Sequence, residues 1–180
     1  MNKSNKSLLA GIGVGVTAAL LLQLLAGVVI AVTGSYDIAA SRDHTSLVRW
    51  MLSTTQHNAV KRMAAAVEPP PATQQVNIAS GASAYKAMCE HCHGGPDIDR
   101  AEWAQGLLPL PPHLTEHAEE WQIKEIFWLA KHGIKATAMP SFGASHDDAT
   151  LWNIAAFVKR LPGMTAREYA SLGEGQAHHH

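Results

Sequence analysis

Hydrophobic and polar positions divide this 180-residue chain into three stretches of different character. The first is uninterrupted. No charge falls between Ser7 and Tyr36, and the apolar run Leu8 to Val32 predicts one helix of 25 residues. Such a helix is about 37 Å long, enough to cross a bilayer with some tilt. Gln23 is its one strongly polar interior residue, and Gly11, Gly13, Gly15 and Gly27 are better tolerated in a membrane helix than in a soluble one.

The second stretch, Asp43 to Ala66, has a helical composition, with Asp43 or Thr45 placed to cap it. Leu47, Trp50, Met51, Thr54 and His57 fall near one stripe, so the helix is expected to lie against a membrane surface or against the domain that follows. Glu68-Pro69-Pro70-Pro71 ends it and predicts an extended, semi-rigid connector.

In the third stretch the apolar positions recur at helical spacing between Gly- and Pro-rich segments. The pattern predicts a helix over 79–93, then a loop from Gly94 to His113 with a short turn near Ala101–Gly106. A second helix is expected from a Thr115 cap through Glu119-Glu120-Trp121 to Lys131, stopped by Gly133. The loop from Ile134 to Ser145 then leads to a last helix beginning near Asp147, with Leu151, Ile154, Ala155 and Val158 on one side, ending before Pro162. No alternating strand pattern is present, so the fold class is all-α. The expected segments are 1–36, an N-terminal membrane anchor; 37–75, a helical spacer and Pro-rich linker; 76–172, a helical domain; and 173–180, a disordered tail. The three histidines at the end, His178 to His180, are set aside as tail or tag residue.

Charge refines this picture. The formal net charge is −1, which gives no electrostatic footprint for nucleic acid. Residues 1–75 carry six Lys+Arg against three Asp+Glu, whereas 76–180 carry eight against twelve, so the helical domain is mildly acidic. Lys3 and Lys6 precede the apolar run and Asp37 follows it, which places the N-terminus on the cytoplasmic side and the rest outside. The expected location is therefore a bacterial inner membrane, single-pass, with the domain on the periplasmic side. A cleaved signal peptide is the competing reading, but its apolar region is usually 7–15 residues.

The chemistry is concentrated in Cys89-Glu90-His91-Cys92-His93, the spacing of a covalent attachment site for one c-type haem. Two thiols three apart suit the two vinyl groups of one porphyrin edge, and the adjacent imidazole reaches the iron. The motif uses both cysteines of the chain, which leaves no second pair for a four-thiolate zinc site. A thioredoxin-like dithiol would need a βαβ context, which the pattern lacks. Attachment of this kind is completed outside the bacterial cytoplasm, in accord with the charge reading. The iron then needs a sixth ligand or keeps an open position. Of six methionines, Met139 stands in a glycine-bounded loop, Gly133 to Gly143, far enough beyond His93 for the chain to pass round the cofactor, with Pro140 to stiffen it. His132 and His146 are lesser candidates, and His44 and His57 read as polar residues of the spacer. Trp103, Trp121, Phe127, Trp128 and Phe142 are expected to wall the pocket, and Lys135 could pair with a propionate.

From about residue 79 to 163 the chain resembles the class I cytochromes c, of the small bacterial, often membrane-anchored kind. The resemblance rests on Gly81 and Tyr85 ahead of the Cys-x-x-Cys-His motif, on Pro112-His113-Leu114, on Met139-Pro140, and on a last helix with Trp152 and Phe157. It implies that Pro112 offers its carbonyl to the ring of His93, and that the first and last helices cross at Gly81 and Tyr85 against Trp152 and Phe157. It also implies outer-sphere electron transfer between respiratory or dehydrogenase partners at a haem held by Cys89, Cys92, His93 and Met139. The protein would be a carrier rather than an enzyme. Two alternatives stay open: a haem-bearing subunit of a larger membrane oxidoreductase, and a ligand-binding or peroxidatic haem protein if the sixth position is open.

Overall fold

The structure is a computed structural model that describes residues 3–70 and 75–172, with side chains described from Leu9. The expected tail, 173–180 with its three histidines, lies outside the described residues, as does Pro71. Two compact units are present, residues 1–42 and 43–180.

The first unit is dominated by helix α1, Lys3–Thr33. Its segment Leu9–Thr33 has a mean hydropathy of 2.4 and is long and apolar enough to cross a membrane. Within this unit Arg42 pairs with Asp37 at 2.9 Å, in the stretch beyond the helix.

Among the described residues of the second unit the regular elements are all helices, apart from one isolated bridge between Gly95 and Ile98. Its long elements are α2 (Ser46–Ala64), α3 (Ile78–Met88), α6 (Ile123–His132) and α7 (Asp148–Val158), with the short α4 (Glu90–His93), α5 (Leu114–His117) and α8 (Ala166–Ser171) between and after them. The unit is organised by α3 crossing α7, with α6 packed on α7. Gly81 makes the crossing close: a Cβ there would lie 2.1 Å from the backbone oxygen of Asn153. The Asn153 side chain also accepts the Asn77 N–H at 2.9 Å, just before α3 begins. Around the crossing Tyr85, Leu151, Phe157 and Leu161 are fully buried, each contributing about 2 kcal/mol of transfer free energy. Phe127 stacks on Trp152 with centroids 4.1 Å apart and rings within 9° of parallel.

Helix boundaries follow local chemistry. Asp147 caps α7 by accepting the Thr150 N–H, so the predicted start is found one residue later. Gly133 ends α6 at φ 65°, a conformation that L side chains resist. Two expectations require correction. The helix over 79–93 breaks at Cys89, and its last turn is a separate four-residue helix. The helix from Thr115 to Lys131 is likewise divided, because Trp121 and Gln122 adopt extended backbone. The Gln122 N–H then donates to Glu125 at 2.7 Å, so α6 takes its start from Gln122 rather than from Thr115. Beyond Pro162, where no element was expected or excluded, Thr165 and Glu168 form a reciprocal capping box that opens α8.

The spacer helix α2 belongs to this unit and packs on α6. Most of α2 is exposed, but Val60 and Ala64 are buried and the His57 ring rests 4.8 Å from that of Trp121.

Candidate functional site

An apolar cleft of the second unit opens beside the α3–α4 junction. Cys89, Cys92 and His93 line it from that junction, and Met139 lines it from the loop after α6. Tyr85, Met88, Ile126, Leu129, Ile154 and Val158 supply apolar walls from three helices, and Pro109 to Pro112 close a further side. The four residues named from the sequence motifs thus share one cavity, although 46 positions separate His93 from Met139.

His93 is set for metal binding. Its Nδ1 lies 2.9 Å from the Pro112 carbonyl. Donation of Nδ1–H to that oxygen leaves the Nε2 lone pair for a metal and fixes the ring orientation. Burial lowers the tendency of this imidazole to protonate, against the Pro112 contact, which raises it; Arg100 and His113 lower it further. A neutral imidazole is the ligating form. The Pro112 segment is itself held, because Arg100 Nε donates to the Pro111 carbonyl at 2.8 Å.

The thiols have the wrong electrostatics for a redox dithiol. Burial pushes the Cys89 thiol up to about 12, with the charge of Cys92 adding to the effect, and burial also raises Cys92. Reactive dithiols depend on the opposite, a depressed thiol pKa. Held beside a neutral imidazole in an apolar cleft, these thiols suit covalent anchorage of a flat apolar group.

The segment around Met139 is built by hydrogen bonds of its own. Thr137 Oγ1 donates to the Ile134 carbonyl at 2.8 Å and accepts the Met139 N–H at 3.1 Å, while the Ile134 N–H donates to the Met139 carbonyl at 3.2 Å. Gly133 lets this loop fold back on α6: a Cβ there would meet the Pro140 carbonyl carbon at 2.6 Å and the Met139 oxygen at 2.7 Å. Pre-shaped backbone of this kind fixes where a thioether sits.

Other candidates fall elsewhere. His132 rests on Trp128, His146 packs edge-on to Phe142, and neither lines the cleft. Trp121 and Phe142 wall the cleft as expected, but Phe127 lies in the core against Trp152 and Trp103 is 62% exposed on a 3₁₀ turn. That turn, Glu102–Gly106, buries only Ala104. Sequence reasoning missed two contributors. Tyr169 of α8 donates to Glu90, between the two cysteines, at 2.5 Å, and the Thr165-x-x-Glu168 box was the available signal for its helix. Gln56 of α2 also lines the cleft, and nothing in the local sequence marks it.

The family model described as cytochrome c oxidase, cbb3-type, subunit III matches residues 76–158, a span that includes the motif, the Pro112 segment, the Met139 loop and α7. No curated protein and no solved structure matches the chain.

Proposed function

We propose, from the premise that residues 76–158 are a class I c-type cytochrome domain with one covalently bound haem c, that this protein carries single electrons by outer-sphere transfer with both axial ligands retained. The haem supplies a one-electron couple between ferric and ferrous iron. Cys89 and Cys92 would anchor it, and His93 and Met139 would hold the iron. Pro112 would orient His93 as the acceptor for its ring N–H. The apolar walls would keep water from the metal, which tunes its potential. The observation that carries this reading is the convergence of Cys89, Cys92, His93 and Met139 on one apolar cleft, with His93 Nδ1 already committed to Pro112.

In the same reading α1 is an uncleaved single-pass anchor and the haem domain works on the exported side, with segments 1–36, 37–75, 76–172 and 173–180 as anchor, spacer, cytochrome domain and tail. Redox protein partners or oxidoreductase subunits would exchange electrons with it, and bilayer lipid would surround α1. A second form of the reading, a haem-bearing subunit of a membrane oxidase, is supported by the description of the matching family. Recovery from mild detergent decides between them: a stoichiometric complex marks a subunit, and a free monohaem protein marks a tethered carrier.

The primary test is absorption spectroscopy of the purified holoprotein, oxidised and reduced, with carbon monoxide added to the reduced form. A low-spin spectrum that carbon monoxide does not change is expected. A high-spin spectrum that shifts would favour ligand-binding or peroxide chemistry. Replacing both thiols, Cys89→Ser with Cys92→Ser, is expected to abolish haem that survives denaturing electrophoresis, and either change alone should lower holoprotein yield several-fold. Undiminished covalent haem in the double variant would remove the attachment assignment.

A further inference from the structure

The spacer helix lies outside the matched family segment, yet it reaches the cleft. α2 is docked through buried Val60 and Ala64 and through the His57–Trp121 ring contact, and Trp121 is itself a cleft wall. One turn before Val60, Gln56 lines the cleft.

Several of the other polar groups there are already paired. Tyr85 OH donates to the Gly94 carbonyl at 2.7 Å, Thr137 Oγ1 to Ile134, and His93 Nδ1 is paired with Pro112. Gln56 is half-buried, and among the described residues no hydrogen bond reaches its side-chain amide. An amide carries two donors and an acceptor, and leaving them unpaired where a cofactor excludes water costs free energy. A haem has polar atoms to meet them, the carboxylates of its periphery.

We propose that α2 is an added wall of the haem site and that Gln56 is a haem-contacting residue, its amide paired with the carboxylate edge of the porphyrin. This rests on the haem reading above and extends it to a segment for which the family match provides nothing. The haem environment then includes the helix that joins the cytochrome domain to the N-terminal part of the chain.

The test is the reduction potential of the full-length holoprotein at fixed pH, for Gln56→Glu and Gln56→Lys. The control pair is Asn58→Glu and Asn58→Lys, since Asn58 is exposed and stands about 200° round the helix from Gln56. A charge beside the haem acts through a medium of effective dielectric about 20 rather than through bulk water. Gln56→Glu should favour ferric iron and Gln56→Lys ferrous iron. Their reduction equilibria against a common mediator should differ by roughly tenfold or more, about 59 mV for one electron. The Asn58 pair should differ by less than about threefold. Equal spreads at the two positions, or Gln56 shifts of the same sign, overturn the proposal. If a charged Gln56 variant fails to accumulate, Gln56→Leu serves in its place. It should move the midpoint potential away from that of the wild type, and an unchanged potential overturns the proposal. Wild-type protein without a c-type spectrum would instead defeat the haem reading itself.

Discussion

Met139→Ala is expected to keep the haem attached while converting the iron from low-spin to high-spin and opening it to carbon monoxide. The two functions are separable because they come from different parts of the chain: the thiols and His93 from the α3–α4 junction, the thioether from the loop after α6. That loop keeps its shape without the Met139 side chain, because its bonds run through Thr137, Ile134 and the Met139 backbone. Alanine would therefore remove the proposed ligand without removing the scaffold. Axial ligands set haem potentials over a range of about 0.8 V, and a thioether raises the potential, so the variant should fall by something on the order of 0.1 V. Absorption spectra, carbon monoxide titration and potentiometry check the three parts together. An unchanged low-spin spectrum would give the sixth position to another side chain.

The second large effect is on stability. Gly81→Ala should lower the stability of the holoprotein by about 3 kcal/mol, at the upper end of overpacking costs, and the melting temperature by about 10–20 °C. The added methyl group would meet Asn153 oxygen at 2.1 Å and its carbonyl carbon at 2.5 Å, both backbone atoms that no rotamer change can clear. α3 and α7 would have to separate, straining the Asn77–Asn153 bond and the Tyr85–Phe157 contact. Gly106→Ala is the matching control, since nothing lies within 4 Å of a Cβ there, and it should change stability by less than about 0.5 kcal/mol. Equal denaturation midpoints for the two variants would mean that the crossing yields easily.

These contrasts show where sequence carries structural information. The stop at Gly133, the Asp147 cap and the spacing of the haem motif are local signals, fixed by φ, by one hydrogen bond or by reach between neighbours, and the structure has the first two where the pattern placed them. The Gly81 crossing was legible only through resemblance, because its partner Asn153 is remote in the chain. The breaks at Cys89 and at Trp121-Gln122 left no mark in composition. Both neighbourhoods have good helical propensity, and tertiary placement of side chains around the cleft overrides it. The docking of α2 was the least legible. Its stripe of Leu47, Trp50 and Met51 pointed to an apolar contact, yet these residues are exposed, and the packed face is the one with Val60 and Ala64. Small residues bury well without announcing themselves.

The crossing of α3 and α7 also puts the assembly of the site in an order. A chain is made from its N-terminus, so Cys89 to His93 appear about 55 positions before Asp148, the first residue of α7. Until α7 follows, Gly81 has no Asn153 to close on, and the cleft lacks its Ile154 and Val158 wall. On a chain that lacks α7 both thiols would stand open to a large planar group. The last elements, α7 and then α8 with its Tyr169 bond to Glu90, would close the site afterwards. A chain interrupted before α7 would offer the attachment motif without the cleft that keeps an attached haem dry.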